Sequence, residues 1–405
     1  MKLGPERHAI LELGSLARLA IMAVPGSRGP FLQQANELFA QVRCIVERQP
    51  LPLIPTTLMV FLRDGIDEDA CRQVIDDHFG DNAPVTTLVV QPPCCGAALG
   101  IELWALGGPG VKVERFGPDL MAVESDRIRW IYGGGIRTNL PGADPYGESV
   151  AAFKKLEQQL TDAGVRFDQV VRTWIYINGI TDSQNGLQRY QELNRARADF
   201  YRDLDFGFGR KAPGATGIIY PASTGIGTRG NHIDLACVAL DTQRADVFIL
   251  PLENPQQTPA YDYQAVYSPQ PPRFSRAMAV VQGRFVSLLV SGTASIVDSR
   301  TVHPGDPVKQ TEQTIDNIQR LITPENVSRL GLPGAGATLR DVAKLRVYVK
   351  QEFDYLACRR VVERRLPKVP AIYLSADVCR PDLLVEIEAV AFAPYRPEAA
   401  SAATP

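Results

Sequence analysis

The stretch VAKLRVYVKQEFDYLACRRVVERRL at residues 342–366, followed by PAIYLSADVCRPDLLVEIEAVAF at residues 370–392, decides the fold. It opens with β-branched and aromatic residues that are typical of a strand, and apolar residues at helical spacing follow. A Pro-flanked strand and a last strand ending in Ala-Phe complete the stretch. The pattern therefore predicts a strand, an amphipathic helix and two further strands.

The same order of elements occurs twice earlier in the chain. A predicted helix precedes each copy, at residues 31–47, 148–164 and 308–322. The earlier copies are TTLMVFLRDGIDEDACRQVIDDHFG (56–80) with PPCCGAALGIELWAL (92–106), and VVRTWIYINGI (170–180) with RYQELNRARADFYRDL (189–204) and HIDLACVAL (232–240). Three copies of one unit indicate an α+β fold that closes around a pseudo-threefold axis. We expect the units to span residues 1–120, 121–250 and 251–405.

Composition excludes several classes of protein. The chain has 405 residues with 43 basic and 45 acidic side chains, so it lacks the positive charge typical of nucleic-acid binding. No apolar run reaches the roughly 18 residues of a membrane span. The N-terminus carries charges where a secretory signal would be apolar. The seven cysteines form no CxxC pair, which favours a reducing, cytoplasmic location.

Motifs for common cofactors are weak or missing. The four histidines match no metal-binding spacing, so we expect no metal. The run TGIGTRG at residues 224–230 contains GxGxxG, but a strand pattern follows it where a dinucleotide site needs a helix. We interpret that run as a loop. No GxSxG motif or P-loop supports a hydrolase triad or an NTPase.

Carboxylates in the last strand are the strongest candidates for chemistry. Strand alternation in LLVEIEAVAF places Glu386 and Glu388 on one face. This face is either an exposed sheet edge, or it holds a buried carboxylic acid with a raised pKa that can donate a proton. The second copy has Asp234 and the first has Glu102 near this position. Only the third copy has both acids, which indicates that one of three related sites is specialised.

Three further residues have both a functional and an ordinary interpretation. Cys379 lies seven residues before Glu386, and it is either a pocket residue or a small core residue. Arg359 either meets a ligand carboxylate or belongs to a solvated helix face. Gly292 in SGTAS either allows a ligand close to the backbone or simply permits a tight turn.

These motifs resemble a known fold. The segments that carry the resemblance are PRFSRA (272–277), LLVSGTASI (288–296), VYVKQEFDYL (347–356), PAIYLSADV (370–378) and VEIEAVA (385–391), which look like RidA/YjgF proteins. Three such units in one chain resemble the chorismatase family. The resemblance implies chorismate-mutase-like units in a pseudo-trimer, with mixed sheets inside and helices outside. It implies a monomer or a weak oligomer.

The resemblance also implies an activity. Chorismatases release pyruvate from chorismate without a metal or organic cofactor, and Glu386 falls on the Glu that protonates the enolpyruvyl methylene. Gly292 and Cys379 are similar to the branch that makes 3-hydroxybenzoate, in which they shape the pocket and steer the intermediate. A subgroup associated with pigment and ubiquinone biosynthesis forms 4-hydroxybenzoate as well. Hydroxybenzoate and pyruvate together contain every atom of chorismate, so no redox cofactor is needed.

Chorismate carries two carboxylates, so the pocket needs at least two cationic or strong donor groups. By similarity to RidA proteins we expect Arg359 to bind one of them. For the other we favour Arg210 with Tyr201 nearby, followed by Arg273 and Tyr373, on pattern and chemistry. The predicted partner is thus a small molecule.

Two other functions remain open. One is a RidA-type enamine/imine deaminase, although Ile372 stands where those enzymes have an Arg that binds substrate. The other is a non-catalytic metabolite-binding protein on the same scaffold.

Overall fold

A computed structural model describes residues 2–4, 8–13, 16–138, 140, 144–184, 186–207, 209–213, 215 and 217–397. The chain forms a mixed α+β structure with three six-stranded sheets. The predicted α+β class is therefore confirmed. Within the described residues no helix is long and apolar enough to cross a membrane.

The first sheet has the strand order β1-β2-β3-β6-β4-β5. Two helices accompany it, and β4 and β5 pair in parallel. Its elements are β1 (Lys2–Gly4), β2 (His8–Leu13), β3 (Leu16–Ala23), α1 (Phe31–Glu47), β4 (Leu53–Leu62), α2 (Glu68–Phe79), β5 (Val85–Val90) and β6 (Leu99–Gly107). Apolar residues at helical spacing bury one face of α1, among them Leu38, Phe39 and Val42.

The second sheet has the same arrangement, in the order β7-β8-β9-β14-β10-β13. Its elements are β7 (Lys112–Arg115), β8 (Leu120–Ser125), β9 (Ile128–Arg137), α3 (Pro145–Asp162), β10 (Val170–Asn178), β11 (Ser183–Gln184), β12 (Leu187–Gln188), α4 (Arg189–Phe200), β13 (Ala222–Thr228) and β14 (Asp234–Thr242). The side chain of Asp144 caps α3 by accepting a hydrogen bond from the Gly147 amide at 2.7 Å.

The third sheet repeats this order as β15-β16-β17-β22-β20-β21. Its elements are β15 (Val247–Leu252), β16 (Ala277–Gln282), β17 (Phe285–Ala294), β18 (Ile296–Val297), β19 (Arg300–Thr301), α5 (Pro307–Ile322), α6 (Pro324–Arg329), β20 (Val342–Val349), α7 (Tyr355–Arg365), β21 (Ala371–Ser375) and β22 (Val385–Pro394). A three-stranded meander opens each sheet, which the sequence pattern did not predict because those strands carry no repeated motif.

The interpretation of residues 224–230 as a loop is wrong. Most of this run forms the edge strand β13, which pairs in parallel with β10. Its glycines let neighbouring groups approach closely. A Cβ atom at Gly225 would stand 2.9 Å from the Tyr190 ring, and one at Gly227 would stand 2.8 Å from the carbonyl oxygen of Asp377.

Edge strand β13 also joins the second sheet to the third. The Ser223 amide donates to Oγ of Ser291 at 2.9 Å, and the Gly227 amide donates to the Asp377 carbonyl at 2.9 Å. The last strand of the third sheet, β22, lies next to this junction. Consequently its inward-facing side chains meet groups supplied by the second sheet.

Candidate active site

Glu386 and Glu388 both lie on the inner face of β22, as strand alternation predicts. Their exposed fractions are 4% and 1%, so the alternative of a solvent-exposed sheet edge is wrong. The two carboxylates lie two residues apart but have different surroundings.

Glu388 belongs to a buried network of charges. It accepts hydrogen bonds from Nη2 of Arg172 at 3.0 Å, from Nε1 of Trp174 at 3.0 Å and from Oγ1 of Thr224 at 2.6 Å. Nη1 of Arg346 lies 3.3 Å from its Oε1 atom. Burial alone would raise the pKa of Glu388, but Arg346 and Arg172 outweigh it and lower that pKa. Glu388 is therefore ionised and structural.

The same network reaches the first sheet. Glu102 of β6 is fully buried and pairs with Lys344 and Arg346 of β20. Burial opposes ionisation of Glu102, but the two cations lower its pKa to about 2. Charged side chains from all three sheets thus meet in one buried cluster, where each carboxylate has cationic partners.

The carboxyl group of Glu386, by contrast, has no hydrogen bond or ion pair with any residue in the described ranges. Burial raises its pKa to about 8, and the nearby charge of Glu388 adds to that increase. Arg172 and Arg276 oppose the shift without cancelling it. Glu386 therefore holds its proton at neutral pH and can donate it, as a general acid must.

Glu386 faces a cavity of about 560 Å³, a size suited to a small organic molecule. Helix α4 of the second sheet contributes four of the residues that line this cavity. The principal lining residues are Tyr190, Gln191, Asn194, Arg197, Ser223, Gly225, Tyr263, Tyr267, Phe274, Arg276, Gly292, Ala294, Arg300, Cys379, Arg380 and Glu386. Tyr190, Asn194 and Arg197 share one face of α4 because their spacing is four and three residues.

Gly292 lies directly against Glu386. The register of β17 with β22 shifts between Val290 and Thr293, which places Gly292 in a β-bulge. A Cβ atom on Gly292 would stand 2.0 Å from Oε1 of Glu386. The Gly292 amide donates to Oγ1 of Thr224 at 3.0 Å, so the bulge is anchored to the second sheet.

Cys379 lines the same cavity, in the segment between β21 and β22. Burial raises the pKa of its thiol to about 12, and the nearby carboxylate of Glu386 adds to the effect. The thiol is therefore neutral at physiological pH. A neutral, buried thiol is a poor nucleophile and instead contributes shape and a weak dipole.

Two buried arginines supply positive charge to the cavity. Arg197 is 1% exposed, and its Nη2 donates to Oδ1 of Asn194 at 2.6 Å. Arg276 is 3% exposed, and its Nη2 donates to the Thr258 carbonyl at 3.1 Å and to the Tyr263 hydroxyl. In each guanidinium the Nε atom is buried with no hydrogen-bond partner among the described residues. Nε of Arg276 faces Oε2 of Glu253 at 4.0 Å, so the unpaired donor that indicates an anionic ligand is Nε of Arg197.

A third arginine lies between two aromatic rings of the cavity. The guanidinium carbon of Arg380 stands 4.3 Å from the ring centre of Tyr267 and 5.2 Å from that of Tyr263. Nη1 of Arg380 donates to the Ser299 carbonyl at 2.8 Å. These contacts hold a cation near Cys379, because residues 379 and 380 are adjacent.

Three of the predicted site residues therefore meet in the cavity, namely Glu386, Cys379 and Gly292. The other five do not line it. Arg359 pairs with Glu363 and Tyr355 on α7, and the ring of Tyr373 packs on Tyr355. Arg210 donates to the Arg244 carbonyl, Tyr201 lies in an aromatic cluster with Phe206, and Arg273 pairs with the Tyr220 hydroxyl.

The position of Arg359 outside the cavity has a physical cause. Its helix, α7, accompanies strand β21, and β21 meets the first sheet, where the Cys94 amide donates to the Tyr373 carbonyl at 3.0 Å. The helix that faces Glu386 is α4 of the second sheet. Arg276 and Arg380 lie in the quoted motifs PRFSRA and PAIYLSADVCRPDLLVEIEAVAF, and Arg197 lies in RYQELNRARADFYRDL. The Arg in each of these three motifs was the available signal.

The strand registers identify the counterparts of Glu386 in the other sheets. Glu386 pairs with Tyr348, Asp234 pairs with Tyr176, and Gly100 pairs with Phe61. Asp234 is thus equivalent, as expected. In the first sheet Gly100 occupies the position of Glu386, and Glu102, which we expected near this position, lies two residues further on and corresponds to Glu388.

At the two positions equivalent to Glu386, Asp234 and Gly100, a neighbouring side chain occupies the space. Asp234 pairs with Nε of Arg137 at 2.6 Å, and Arg137 also contacts Glu68 at 2.8 Å. At Gly100 a Cβ atom would stand 2.7 Å from Cδ1 of Ile372, so that side chain fills the space. Of the three positions, only that of Glu386 combines a buried carboxylate with an open cavity.

Comparison with known proteins adds to this geometry. A family model described as chorismatase FkbO/Hyg5-like, N-terminal, matches residues 129–239. A 3-hydroxybenzoate synthase of Streptomyces hygroscopicus is 34% identical over 258 residues, which make up 62% of this chain and 71% of that protein. The chain belongs to the chorismatase family. The resemblance seen in its motifs is thereby confirmed.

Two further members of the chorismatase family are similar to this chain. A chorismatase of Streptomyces hygroscopicus is 38% identical over 257 residues, covering 63% of this chain and 70% of that protein. The crystal structure of a chorismatase superposes with a TM-score of 0.67 at 25% identity and covers 94% of this chain and 100% of the other.

Proposed function

We propose that this protein cleaves chorismate to 3-hydroxybenzoate and pyruvate, with Glu386 as the general acid. The observation that carries the proposal is a buried carboxylic acid with no ion pair, facing a cavity lined by arginines, in a relative of a 3-hydroxybenzoate synthase. The neutral acid protonates the enolpyruvyl methylene carbon, and the charge that develops is oxocarbenium-like. Cleavage of the ether C–O bond then releases pyruvate, and the proton that the ring loses as it becomes aromatic restores Glu386, so no further atoms are needed.

The two substrate carboxylates require two cationic contacts. We assign one to Arg276, because its Nη2 is occupied by protein groups while its Nη1 donates to none of the residues that the structure describes. We assign the other to Arg197 or Arg380, which line the cavity on α4 and beside Cys379. Fixed guanidinium groups orient the substrate and limit the freedom lost on binding.

Gly292 and Cys379 set the shape of the pocket around Glu386. A methyl group on Gly292 would overlap the acid, so glycine keeps room for the carboxyl group in its present rotamer. The neutral thiol of Cys379 borders the same space. We propose that both residues steer the protonated intermediate towards the aromatic product.

The architecture itself supports a specialised interface. We propose that the three sheets are copies of one unit around a pseudo-threefold axis, with their helices outside. In that arrangement the three junctions correspond, and two of them are closed by Arg137 and Ile372. Retaining three copies in one chain lets one junction carry the acid.

The test is to incubate purified protein with chorismate, resolve the aromatic products by chromatography, and measure pyruvate in parallel. The proposal predicts equimolar pyruvate and 3-hydroxybenzoate, and the assay also reveals any 4-hydroxybenzoate. Absence of both products would contradict it. Ammonia release from 2-iminobutanoate, without action on chorismate, would instead identify an imine deaminase.

A further inference from the structure

A second buried carboxylate, Glu253, contacts Arg276 without lining the cavity. Its Oε1 atom accepts the backbone N–H of Arg276 at 3.2 Å. Its Oε2 atom lies 4.0 Å from Nε of Arg276. Oε2 of Glu253 and Nε of Arg276 are both buried, and neither has a hydrogen bond to the described part of the chain. Glu253 therefore stands as the protein's own counter-ion to the arginine that we assign to the substrate.

Other charged groups near Glu253 are few. Asp262 and Tyr261 face it from the short helical turn at residues 260–262. Helix α6 contacts it through the amide of Asn326, which donates to the Glu253 carbonyl oxygen at 3.0 Å. Arg329 of that helix bonds Asn326. Arg276 is thus the cation that most directly neutralises Glu253.

The carboxyl group of Glu253 changes its protonation state near neutral pH. Burial raises its pKa to about 7, and Arg276 opposes this shift without cancelling it. A substrate carboxylate on Arg276 would place a second negative charge beside the same guanidinium. Like charges in a buried site favour the protonated form of the acid.

We infer that Glu253 is a positioning residue, which is the counter-ion of Arg276 until the substrate carboxylate takes over that role. Glu253 then takes up one proton from solvent as substrate binds. Without ligand, ionised Glu253 neutralises Arg276 and holds it in place. With ligand, the substrate carboxylate neutralises Arg276 and Glu253 becomes a neutral acid. The choice of substrate rests on the proposed function.

Calorimetry at pH 8 tests the proton uptake. Chorismate is titrated into the Glu386→Gln variant in buffers of different ionisation enthalpy. The substitution suppresses turnover and removes the other buried acid near Arg276. We expect close to one proton taken up per chorismate bound, roughly the fraction ionised one pH unit above the pKa of Glu253. Adding Glu253→Gln should abolish the uptake. Adding Glu325→Gln, which alters an exposed acid beside Asn326, should retain it.

The outcomes separate the inference from the proposed function. Equal proton uptake with and without Glu253, or none in either protein, overturns the inference. If chorismate fails to bind, titration of 3-hydroxybenzoate supplies a carboxylate for Arg276, and proton-linked binding of that ligand contradicts only the proposed function. Binding of neither ligand overturns both. Should Glu253→Gln not fold, loss of the uptake at pH 6, where Glu253 is already protonated, supports the inference, and its persistence contradicts it.

Discussion

A Cβ atom on Gly292 would stand 2.0 Å from Oε1 of Glu386, so the glycine and the acid can share the cavity only because the glycine has no side chain. The bulge in β17 brings the two residues together, and the bond from the Gly292 amide to Thr224 holds the bulge against the second sheet. The position of the acid thus depends on backbone geometry from two sheets.

We predict that Gly292→Ala displaces the carboxyl group of Glu386. The added methyl group must push the acid out of its rotamer, so kcat should fall by at least tenfold. Combined with Cys379→Ala, it should shift the product from the aromatic acid towards a non-aromatic diene. Chromatography of the products checks both effects, with Gly230→Ala as a control that meets little steric resistance. An unchanged rate and product ratio would count against a steering role.

The rate should depend on pH through the proton of Glu386. Because its pKa is raised to about 8, the protonated form dominates at neutral pH and is lost above that value. We expect kcat/KM to fall about tenfold per pH unit above pH 8. A profile measured from pH 5 to 10 checks this, and a rate that stays constant to pH 10 would contradict it.

The same raised pKa predicts a cost in stability. Between pH 4.5 and about 8, Glu386 stays protonated in the folded state but is ionised in the unfolded state. The folded state therefore binds more protons, and the free energy of unfolding declines as pH rises through this range. Glu386→Gln removes that penalty. We expect it to raise the free energy of unfolding at pH 7 by roughly 2–3 kcal/mol, with little change at pH 4. Denaturant unfolding at both values measures the effect, and equal changes at both would contradict it.

The arginine assignments make a prediction about KM. Arg276→Gln removes a cationic contact to the substrate and should raise KM for chorismate by about 10- to 100-fold, since charge-assisted bonds contribute roughly 1.5–3 kcal/mol. Arg210→Gln and Arg359→Gln change arginines outside the cavity and serve as controls. Steady-state kinetics decides, and an effect limited to the controls would reverse the assignment.

Local features of the third sheet follow from the sequence pattern. Alternation in LLVEIEAVAF placed Glu386 and Glu388 on one face, and the register and burial confirm it. The pattern could not reveal which of the two acids is ion-paired. The partners of Glu388 include Arg172 and Thr224, which come from another sheet. Ion pairing here depends on packing between sheets, which no local period encodes.

The same reason explains which arginines line the cavity. We expected Arg359 of α7, the helix of the unit that carries Glu386, to bind one carboxylate, and Arg210 of the middle unit to bind the other. The structure places α4 of the preceding sheet against that acid, so Arg197 lines the cavity and Arg359 does not. Sequence identified the acid because its chemistry is unusual for a strand. Which Arg of the middle unit lines the cavity depends on packing across the junction, so the pattern favoured Arg210 where the structure has Arg197.

The most direct test of the account is the turnover of chorismate by Glu386→Gln, measured as pyruvate and 3-hydroxybenzoate released at pH 7. The variant keeps the shape of the side chain but cannot donate the proton, and Glu363→Gln on the exposed face of α7 is the matched control. We predict that kcat falls by about 10²- to 10⁴-fold in Glu386→Gln while the protein remains folded and the control keeps its activity. Turnover by Glu386→Gln at the rate of the unmodified protein would contradict the account.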